Sequence, residues 1–458
     1  MRKLKWIILV VVILVLVSVL LARMSIQMLR DGSQAYLYGY PLVLMEATRQ
    51  VMTDPDAGLA PVNHFAHIRG FPGHLDRQVV RPNCDTLYST AWIDLSVEPI
   101  VLSVPNMGDR YYVLPFMDAW TNVFAYVGTR TTGSGPGNYM VVGPDWEGNL
   151  PEGVQKIQSP TNLTWLIGRI QANGQEDFIT VYEFQDRITL SPLARWKKDK
   201  PNSAVSIDKR TESKTKNPKA MVAEMPPLEF FATLARLMGK QPPAVADGPI
   251  LEMLAEFGIF PGKPFVIEDL GFLRRRMLTK AVEVTRKKMI EIAASFRSPE
   301  NQWSEAPEIL GNYGTSYTIR AGVSQIGLGA LEPAEAVYPN ADTDITGQLL
   351  NGGHRYKIHF DAGKYPPVNA FWSLTMYDEH GFLVENSIQR YAIGDRDPLE
   401  FNADGSLDIL IQHRQPETKV SNWMPSPVGS FVVTLRLYLP KDEFLNGKWK
   451  IPPIERVK

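Results

Sequence analysis

The sequence contains a single cysteine, Cys84, among 458 residues. One cysteine cannot form an intramolecular disulfide, and it cannot supply the thiolate cage of a structural zinc site. An excess of charge is also lacking, because the formal net charge at pH 7 is -1. Nucleic-acid-binding proteins usually carry a basic excess, so the composition argues against a nucleic-acid partner.

Motifs for catalysis and cofactor binding are missing as well. The chain has no Gly-x-Ser-x-Gly elbow of a serine hydrolase and no His-Glu-x-x-His helix of a zinc protease. The glycine-rich residues 133–137 lead into a predicted strand and contain Pro136, whereas a phosphate loop joins a strand to a helix N-terminus. We therefore predict a hairpin loop there, and the sequence identifies no cofactor.

A long apolar run lies near the N-terminus. Residues 1–5 are basic, and residues 6–22 are apolar apart from Ser18. As a helix this run would span about 26 Å, enough for a bilayer core, and the basic residues would keep the N-terminus cytoplasmic. We predict an uncleaved, single-pass signal anchor in the inner membrane, with the body in the periplasm. The alternative is a cleaved signal peptide and a secreted body.

The remaining pattern alternates between β-rich and helical stretches. Short apolar runs separated by turn residues recur between residues 79 and 193 and again after residue 336, as in β-sandwiches. Ile179 to Phe184 is included among these strands. Helical spacing is present at residues 33–53, where Pro41 marks a kink or a helix boundary, and at 226–238, 250–257 and 270–296, with one more predicted helix at 163–173.

This pattern predicts a mainly β protein. We expect two antiparallel, jelly-roll-like β-sandwich units, an inserted helical region and an N-terminal transmembrane helix. The predicted boundaries are 1–24 for the anchor, 25–200 for the first β unit, 201–330 for the linker and helical region, and 331–458 for the second β unit. Residues 197–219 have the composition of a solvated linker. Residues 311–329 form a connection whose polar groups would surround a cleft: Tyr313, Tyr317, Arg320 and Gln325.

The most distinctive stretch is residues 81–96. It starts with the turn-forming sequence Pro82-Asn83-Cys84-Asp85, and it continues as a strand whose side chains alternate between two faces. Tyr88 lies on the aromatic face of that strand. A polar corner of this kind either holds a ligand or fixes the fold.

Several separated motifs carry a resemblance to a known family. They are residues 81–96, 109–112, 118–122, 126–130, 371–378, 389–391, 422–427, 435–438 and 452–453. In this order they resemble the paired families of unknown function DUF1254, in the N-terminal half, and DUF1214, in the C-terminal half. The resemblance extends over most of the chain after residue 35. Cys84 departs from the family pattern, so a role for this cysteine would not be a family property.

Polar residues at family-like positions within apolar strands are the candidate ligand-binding residues. They are Asn83, Asp85, Tyr88, Arg110, Asp118, Arg390 and Arg436. Buried charges must be paired or bound, so we expect Asp85 and Asp118 to share a pocket whose wall carries Tyr88 and Arg110. The alternative is that each residue fixes its own strand corner, with Asp109 or Asp118 pairing Arg110. For Arg436 the expected partner is Asp85 or Asp378.

Other chemistries have weaker support. His64 and His67, close to His74, would make a metal site only if a helical turn aimed them at one ion, so no metal is favoured. Cys84 would need an activating histidine to act as a nucleophile. Asp85, Asp118 and Asp378 are the carboxylates available for glycoside hydrolysis.

Two classes of function therefore remain. The first is a membrane-anchored, periplasm-facing protein with a polar pocket for a small molecule, in which case hydrolase is the preferred enzyme class. The second is a non-catalytic envelope protein that binds a ligand or acts as a scaffold. The expected partners are the lipid bilayer, through residues 6–22, and a small-molecule ligand, and the sequence allows a homo-oligomer.

The signal-anchor hypothesis makes a direct prediction. The mature protein should retain residues 1–22 and remain in the membrane fraction after washing with high salt and alkali, because the apolar run holds it in the bilayer. Intact-mass measurement of the protein purified from its native membrane tests this. A mature chain that begins after Ala22 would show that the run is a cleaved signal peptide.

Overall fold

The computed structural model describes residues 2–77, 80–196, 198, 201–207, 217–293, 301–304 and 307–457. Helix accounts for 31% and strand for 25%, and the sheets are mixed. The expectation of a mainly β protein with purely antiparallel sheets is therefore corrected to a mixed α and β fold. The helical region and a long N-terminal helix account for the difference. The jelly-roll description and the predicted domain boundaries stay predictions.

Helices dominate the N-terminus and the middle of the chain. The α-helices of the described residues are α1 Arg2–Met52, α2 Phe178–Arg187, α3 Leu193–Trp196, α4 Pro218–Glu224, α5 Pro227–Met238, α6 Gly248–Ala255, α7 Phe272–Ala293, α8 Tyr317–Gly327 and α9 Asp442–Leu445. Short 3₁₀ turns lie at Gln175–Asp177, Val245–Asp247, Ile267–Asp269 and Val420–Asn422.

Helix α1 runs without interruption for 51 residues and includes Pro41. Its two halves differ in surroundings. The large apolar side chains from Trp6 to Leu21 are all 46–67% exposed, whereas most side chains between residues 35 and 48 are buried. The exposed half is apolar enough to cross a membrane and has the length to do so. It is compatible with a single-pass anchor or with a signal sequence.

The second half of α1 forms the centre of a helical layer. Tyr36 packs on Phe230 of α5, with ring centroids 4.5 Å apart, and Gly39 lies against Leu234 of the same helix. Leu278 and Val282 of α7 join this core. Helices are thus present at the predicted positions 226–238, 250–257 and 270–296, as α5, α6 and α7, and α1 packs among them.

The strands form four sheets, which pack as two pairs. They are β1 Ala66–Ile68, β2 Thr86–Asp94, β3 Ile100–Val104, β4 Tyr112–Asp118, β5 Val123–Gly128, β6 Gly137–Val142, β7 Gln155–Gln158, β8 Leu163–Gln171, β9 Thr189–Pro192, β10 Val205–Ile207, β11 Ala336–Val337, β12 Asn340–Ala341, β13 Arg355–Phe360, β14 Val368–Asp378, β15 Ala392–Gly394, β16 Leu407–Gln412, β17 Trp423–Pro425, β18 Phe431–Pro440 and β19 Glu455–Val457.

In the first half of the chain a six-stranded sheet, in the order β10-β1-β2-β8-β4-β5, packs on a four-stranded sheet, β7-β6-β3-β9. One face of the larger sheet covers the helical layer through Trp92 and Trp165, and the other face forms the sandwich core with Leu87 and Leu166. In the second half, β11-β18-β14-β15 faces β17-β16-β13-β19 across a separate core. Most neighbouring strands are antiparallel, but β1·β10, β6·β7 and β16·β17 are parallel.

Several local predictions were wrong. Residues 163–173, predicted as a helix, contain strand β8. Thr164, Trp165 and Ile167 prefer strands, and the segment pairs with β2 on one side and β4 on the other. Ile179 to Phe184, predicted as a strand, belongs to helix α2. Within the predicted linker, residues 205–207 form edge strand β10, and within the predicted connection residues 317–327 form α8. Much of the linker lies outside the described residues.

Helices α1 and α7 approach each other at Gly32, which gives a stability prediction. A Cβ atom at Gly32 would lie 2.8 Å from the Cβ of Ala281. Gly32→Ala should therefore lower the melting temperature, because crowding of about 1–3 kcal/mol outweighs the helix-propensity gain of about 1 kcal/mol.

The control is Gly327→Ala in the last turn of α8, where a Cβ would meet no atom within 4 Å. A second variant, Ala281→Gly, should reduce the cost of Gly32→Ala in a double-mutant cycle. Equal effects of Gly32→Ala and Gly327→Ala on thermal unfolding would contradict the close approach.

Candidate functional site

The polar corner at residues 81–85 docks onto the sheet of the C-terminal half. The backbone amide of Arg81 donates to the carbonyl of Gly381 at 2.8 Å, and the Tyr377 hydroxyl donates to the carbonyl of Pro82 at 2.6 Å. We call this contact region, where β2 and β8 meet β14 and β18, the seam. Four of the seven predicted candidates lie here: Asn83, Asp85, Tyr88 and Arg436.

Asn83 shapes the corner by bonding its own backbone. Its side-chain carbonyl accepts hydrogen bonds from the amides of Asp85 and Thr86, each at 2.9 Å, as Asx turns do. Its amide group donates to the hydroxyl of Tyr88 at 2.6 Å. Asn83 thus connects the turn to the aromatic face of β2.

Asp85 is fully buried and is neutralised from the other side of the seam. One carboxylate oxygen accepts a hydrogen bond from Ser373 Oγ at 2.7 Å, and the other pairs with Arg396. The guanidinium of Arg396 also lies 4.1 Å from the ring centroid of Phe371. A buried carboxylate left without these partners would be strongly destabilising, so Asp85 joins the two halves of the protein.

Arg436 is 4% exposed, and it makes no ion pair among the described residues. Its guanidinium donates to Thr375 Oγ1 at 2.6 Å, to the Tyr377 hydroxyl at 2.6 Å and to the carbonyl of Arg81 at 3.1 Å. Neither expected partner pairs with it directly. The oxygens of Asp85 are bonded to Arg396 and Ser373, although its charge acts on Arg436 at longer range. Asp378 pairs with Arg77.

A second buried arginine, Arg169, lies close by on β8. It is 7% exposed and donates to the carbonyls of Ile167, at 3.2 Å, and Gly329, at 3.0 Å. Its guanidinium carbon lies 5.4 Å from the ring centroid of Tyr88, its cross-strand neighbour. No carboxylate pairs with Arg169 in the part of the chain that the structure describes. Its positive charge is therefore solvated by carbonyls and tyrosines alone.

Tyrosines lie between the two arginines. The charge of Arg169 acts on the hydroxyls of Tyr88, Tyr338 and Tyr438, and the guanidinium of Arg436 lies 5.8 Å from the ring of Tyr338. Burial raises the pKa of Tyr338 to about 12 against the opposing charge of Arg169, and it raises the pKa of Tyr438 further. Both phenols are thus protonated O–H donors. Neither hydroxyl has a hydrogen-bond partner among the described residues.

Cys84 lies in the same corner, but its environment does not favour nucleophilic chemistry. Burial and then the charge of Asp85 raise the pKa of its thiol to about 12. Its Sγ donates a long hydrogen bond of 3.9 Å to the carbonyl of Pro72, and no histidine of the described residues hydrogen-bonds to it. A thiol of this kind stays protonated and lacks a base.

Three of the predicted candidates, Arg110, Arg390 and Asp118, lie outside the seam. Arg110 pairs with Asp177 and donates to the carbonyl of Gln171 at 2.7 Å, so its partner is neither Asp109 nor Asp118. It lines an open surface pocket of about 370 Å³. Arg390 donates to the carbonyls of Val420, Ser421 and Trp423 and thereby holds that loop.

Asp118 lies far from Asp85, so the expectation that they share a pocket is wrong. Thr86, next to Asp85, pairs with Gln171 of β8, whereas Asp118 pairs with Thr164. Seven strand residues separate these positions by about 23 Å. Asp118 caps its own turn by accepting hydrogen bonds from the amides of Trp120 and Asn122. The two carboxylates are also too far apart to act as a glycosidase pair, for which about 5–9.5 Å is needed.

The two histidines considered for a metal do not share a helical turn. His67 lies on strand β1, and His64 lies in the preceding turn, where its Nδ1 is 2.9 Å from the carbonyl of Val62. Burial lowers the pKa of His67 to about 4, and its Nδ1 contacts Ser89 Oγ at 2.9 Å. The described residues contain no group of three side chains suited to a metal ion.

The seam residues that were not among the candidates include Arg169, Arg396, Tyr338 and Tyr438. Arg169 carries the signal that identified Arg436, namely an arginine within an otherwise apolar strand. The incorrect helix assignment of residues 163–173 concealed it. Arg396 lies in an exposed-looking Gly-Asp-Arg-Asp loop and gave no such signal.

Comparison with known proteins agrees with the motif resemblance. The family described as "Protein of unknown function (DUF1254)" matches residues 62–192, and "Protein of unknown function (DUF1214)" matches residues 335–442. The predicted resemblance is confirmed. Both families are uncharacterised, so no activity follows from them. No curated protein matches the chain significantly.

Solved structures that match this chain include the following two. The VPA0106 protein from Vibrio parahaemolyticus is 26% identical over 94% of this chain and 100% of its own, with a TM-score of 0.71. An uncharacterized protein from Burkholderia cenocepacia is 13% identical over 97% of this chain and 98% of its own, with a TM-score of 0.44.

Asp118 gives a pH-dependent prediction. Burial raises its pKa from the ordinary 3.8 to about 6, against hydrogen bonds from Asn122 and the charge of Arg320. The folded state therefore binds this proton more tightly than the unfolded chain, and ionisation destabilises the fold as the pH rises from about 4 to about 6. The melting temperature of Asp118→Asn, relative to that of the wild type, should therefore rise as the pH increases over this range, because the variant has no carboxylate to ionise.

Asp177→Asn is the control, because its melting temperature relative to the wild type should change with pH in the opposite direction. Burial acts to raise the pKa of Asp177, but hydrogen bonds from Arg110 and the Asn173 amide hold it below its ordinary value. Ionised Asp177 therefore stabilises the fold, and this contribution is lost as the pH falls. Parallel pH profiles for the two variants would contradict the assignment of Asp118.

Proposed function

We propose that this chain, in which a DUF1254 region and a DUF1214 region meet at one buried seam, is a membrane-anchored binding protein for a small anion. Arg169 carries the proposal. A buried guanidinium is normally paired with a carboxylate, and an isolated buried charge is expensive. Arg169 has no such partner in the described residues. An anionic ligand would complete its coordination.

The surroundings of Arg169 supply the rest of an anion site. Arg436 adds a second positive charge across the seam, and Tyr338 and Tyr438 offer hydroxyl donors without partners among the described residues. Guanidinium groups bind carboxylate and phosphate through paired hydrogen bonds. The ligand class is therefore a small organic acid or a phosphate-bearing molecule.

Binding is favoured over hydrolysis by the chemistry of the site. The thiol of Cys84 is held protonated, and Asp85 is occupied by Arg396 and Ser373. His67, whose pKa is lowered to about 4, contacts Ser89 on β2. Neither Cys84 nor Asp85 is therefore available as a nucleophile or general base, and the lowered pKa of His67 makes its neutral imidazole a weak base.

The exposed half of α1 supports the membrane anchor. The apolar side chains of residues 6–21 face outward on every side of the helix and contact no other element, which is the pattern of a segment that lipid surrounds. With the basic N-terminal residues in the cytoplasm, the body faces the periplasm of an inner membrane. The seam would then bind solutes of that compartment.

The anion proposal predicts ligand protection against heat. At matched ionic strength, sodium phosphate, citrate or acetate should raise the melting temperature of the detergent-solubilised chain relative to sodium chloride. A ligand at 100 times its Kd stabilises by about 2.7 kcal/mol. Arg169→Gln and Tyr438→Phe should lose this protection, because each removes a donor from the site.

Arg110→Gln is the matched control, since Arg110 is also a partly buried arginine, just before β4, but lies outside the seam. Its protection should equal that of the wild type. Tyr438→Phe removes only a hydroxyl and tests the site even if Arg169→Gln does not fold. The proposal fails if none of the anions protects the wild type, or if protection persists unchanged in Tyr438→Phe and a folded Arg169→Gln.

A further inference from the structure

The alignment of α7 along α1 determines how far the helical layer lies from the bilayer, if the first half of α1 spans it. Gly32 of α1 lies against Leu278 and Ala281, and farther along α1 the hydroxyl of Tyr36 accepts a hydrogen bond from Arg286 at 3.2 Å. The contacts advance together along both helices, so α1 and α7 run parallel. At 1.5 Å per residue, Phe272 precedes Ala281 by about 13 Å.

The same distance back along α1 from Gly32 reaches Arg23. The first turn of α7 is therefore level with the point where the apolar run of α1 ends. Because α1 is one unbroken helix, this level is fixed relative to the body of the protein. If residues 6–22 span the bilayer, the start of α7 lies among the lipid headgroups.

The residues at this level suit a headgroup layer. Phe272 is 78% exposed, and Arg274 and Arg276 beside it are exposed. Arg23 is exposed on α1 at this level, and Arg30 is exposed on the same helix about 10 Å closer to the body. We call these five residues the basic collar. By contrast, Arg275 turns inward and donates to the carbonyl of Ile267 at 2.7 Å.

The acidic residues near the basic collar are too few to neutralise its positive charge. Glu268 and Asp269 are exposed in the turn before α7, and Asp31 accepts a hydrogen bond from Gln27 on α1. Against these three carboxylates, the collar and the inward-facing Arg275 supply five guanidinium groups. Exposed arginines beside an exposed phenylalanine are typical of surfaces that bind anionic lipid.

We propose that the basic collar docks the helical layer onto an anionic lipid surface, with Phe272 inserted at the boundary between headgroups and acyl chains. This inference rests on the membrane anchor of the proposed function. It adds that the body contacts the bilayer surface through α7, and is not connected to the membrane by the anchor helix alone. The exposed arginines explain why anionic headgroups, and not only a bilayer, are recognised.

The test places a fluorophore at two heights in the full-length chain. Phe272→Cys and, separately, Val245→Cys are labelled in a Cys84→Ser background and reconstituted into vesicles whose lipids carry bromine near the headgroup end of the acyl chain. Val245 is fully exposed, and the nearby Asp247 bonds Tyr38, about 22 Å beyond Arg23 along α1. We expect bromine to quench the label at 272 and not the label at 245.

Lipid charge is varied in the same experiment. Quenching at 272 should be stronger in vesicles of phosphatidylcholine with phosphatidylglycerol than in phosphatidylcholine alone, and Arg274→Gln/Arg276→Gln should remove that difference. Equal quenching at 272 and 245 overturns the seating of α7, and a difference between lipids that survives the double variant overturns the role of the arginines. A chain that does not float with the vesicles overturns the membrane anchor itself.

Discussion

The buried ion pair between Asp85 and Arg396 joins the two halves of this protein. Asp85 comes from the corner before β2, and its two partners, Arg396 and Ser373, come from the C-terminal sheet. A carboxylate without exposed surface requires both partners, so the corner can adopt this conformation only when the C-terminal half is docked. Asn83 then fixes Tyr88, and the arginines of β8 and β18 are enclosed. In the proposed function, this joint is what would enclose the anion between the two arginines.

Helix α1 combines two physical roles along one axis. Its second half is the centre of the helical layer that covers the larger sheet, and its first half is an uncovered apolar rod. A single helix of 51 residues that exposed this much apolar surface to water would be unstable. Packing against α5 and α7 stabilises its second half, and lipid would stabilise its first half. The body and the apolar N-terminal segment thus share one continuous helix.

Sequence reasoning predicted the strands of the C-terminal half and the helices at 227–255 well, because their apolar periodicity and terminal Pro and Gly residues are local signals. It failed at β8 and α2, where neighbouring strands and sandwich packing override weak local preference. It grouped Asn83, Asp85, Tyr88 and Arg436 as functional candidates, and the structure brings these four together. It could not place Asp118, because the distance between strand ends depends on sheet register, nor identify Arg396, whose role arises only from long-range contact.

The central claim is that an anion belongs between Arg169 and Arg436. Crystals of the purified chain soaked in iodide, with diffraction data collected for anomalous scattering, test it most directly, since iodide replaces small anions at positive sites. The account predicts an anomalous peak within contact distance of both guanidinium groups and of the Tyr438 hydroxyl. Peaks confined to surface lysines and arginines, with the seam empty, would contradict it.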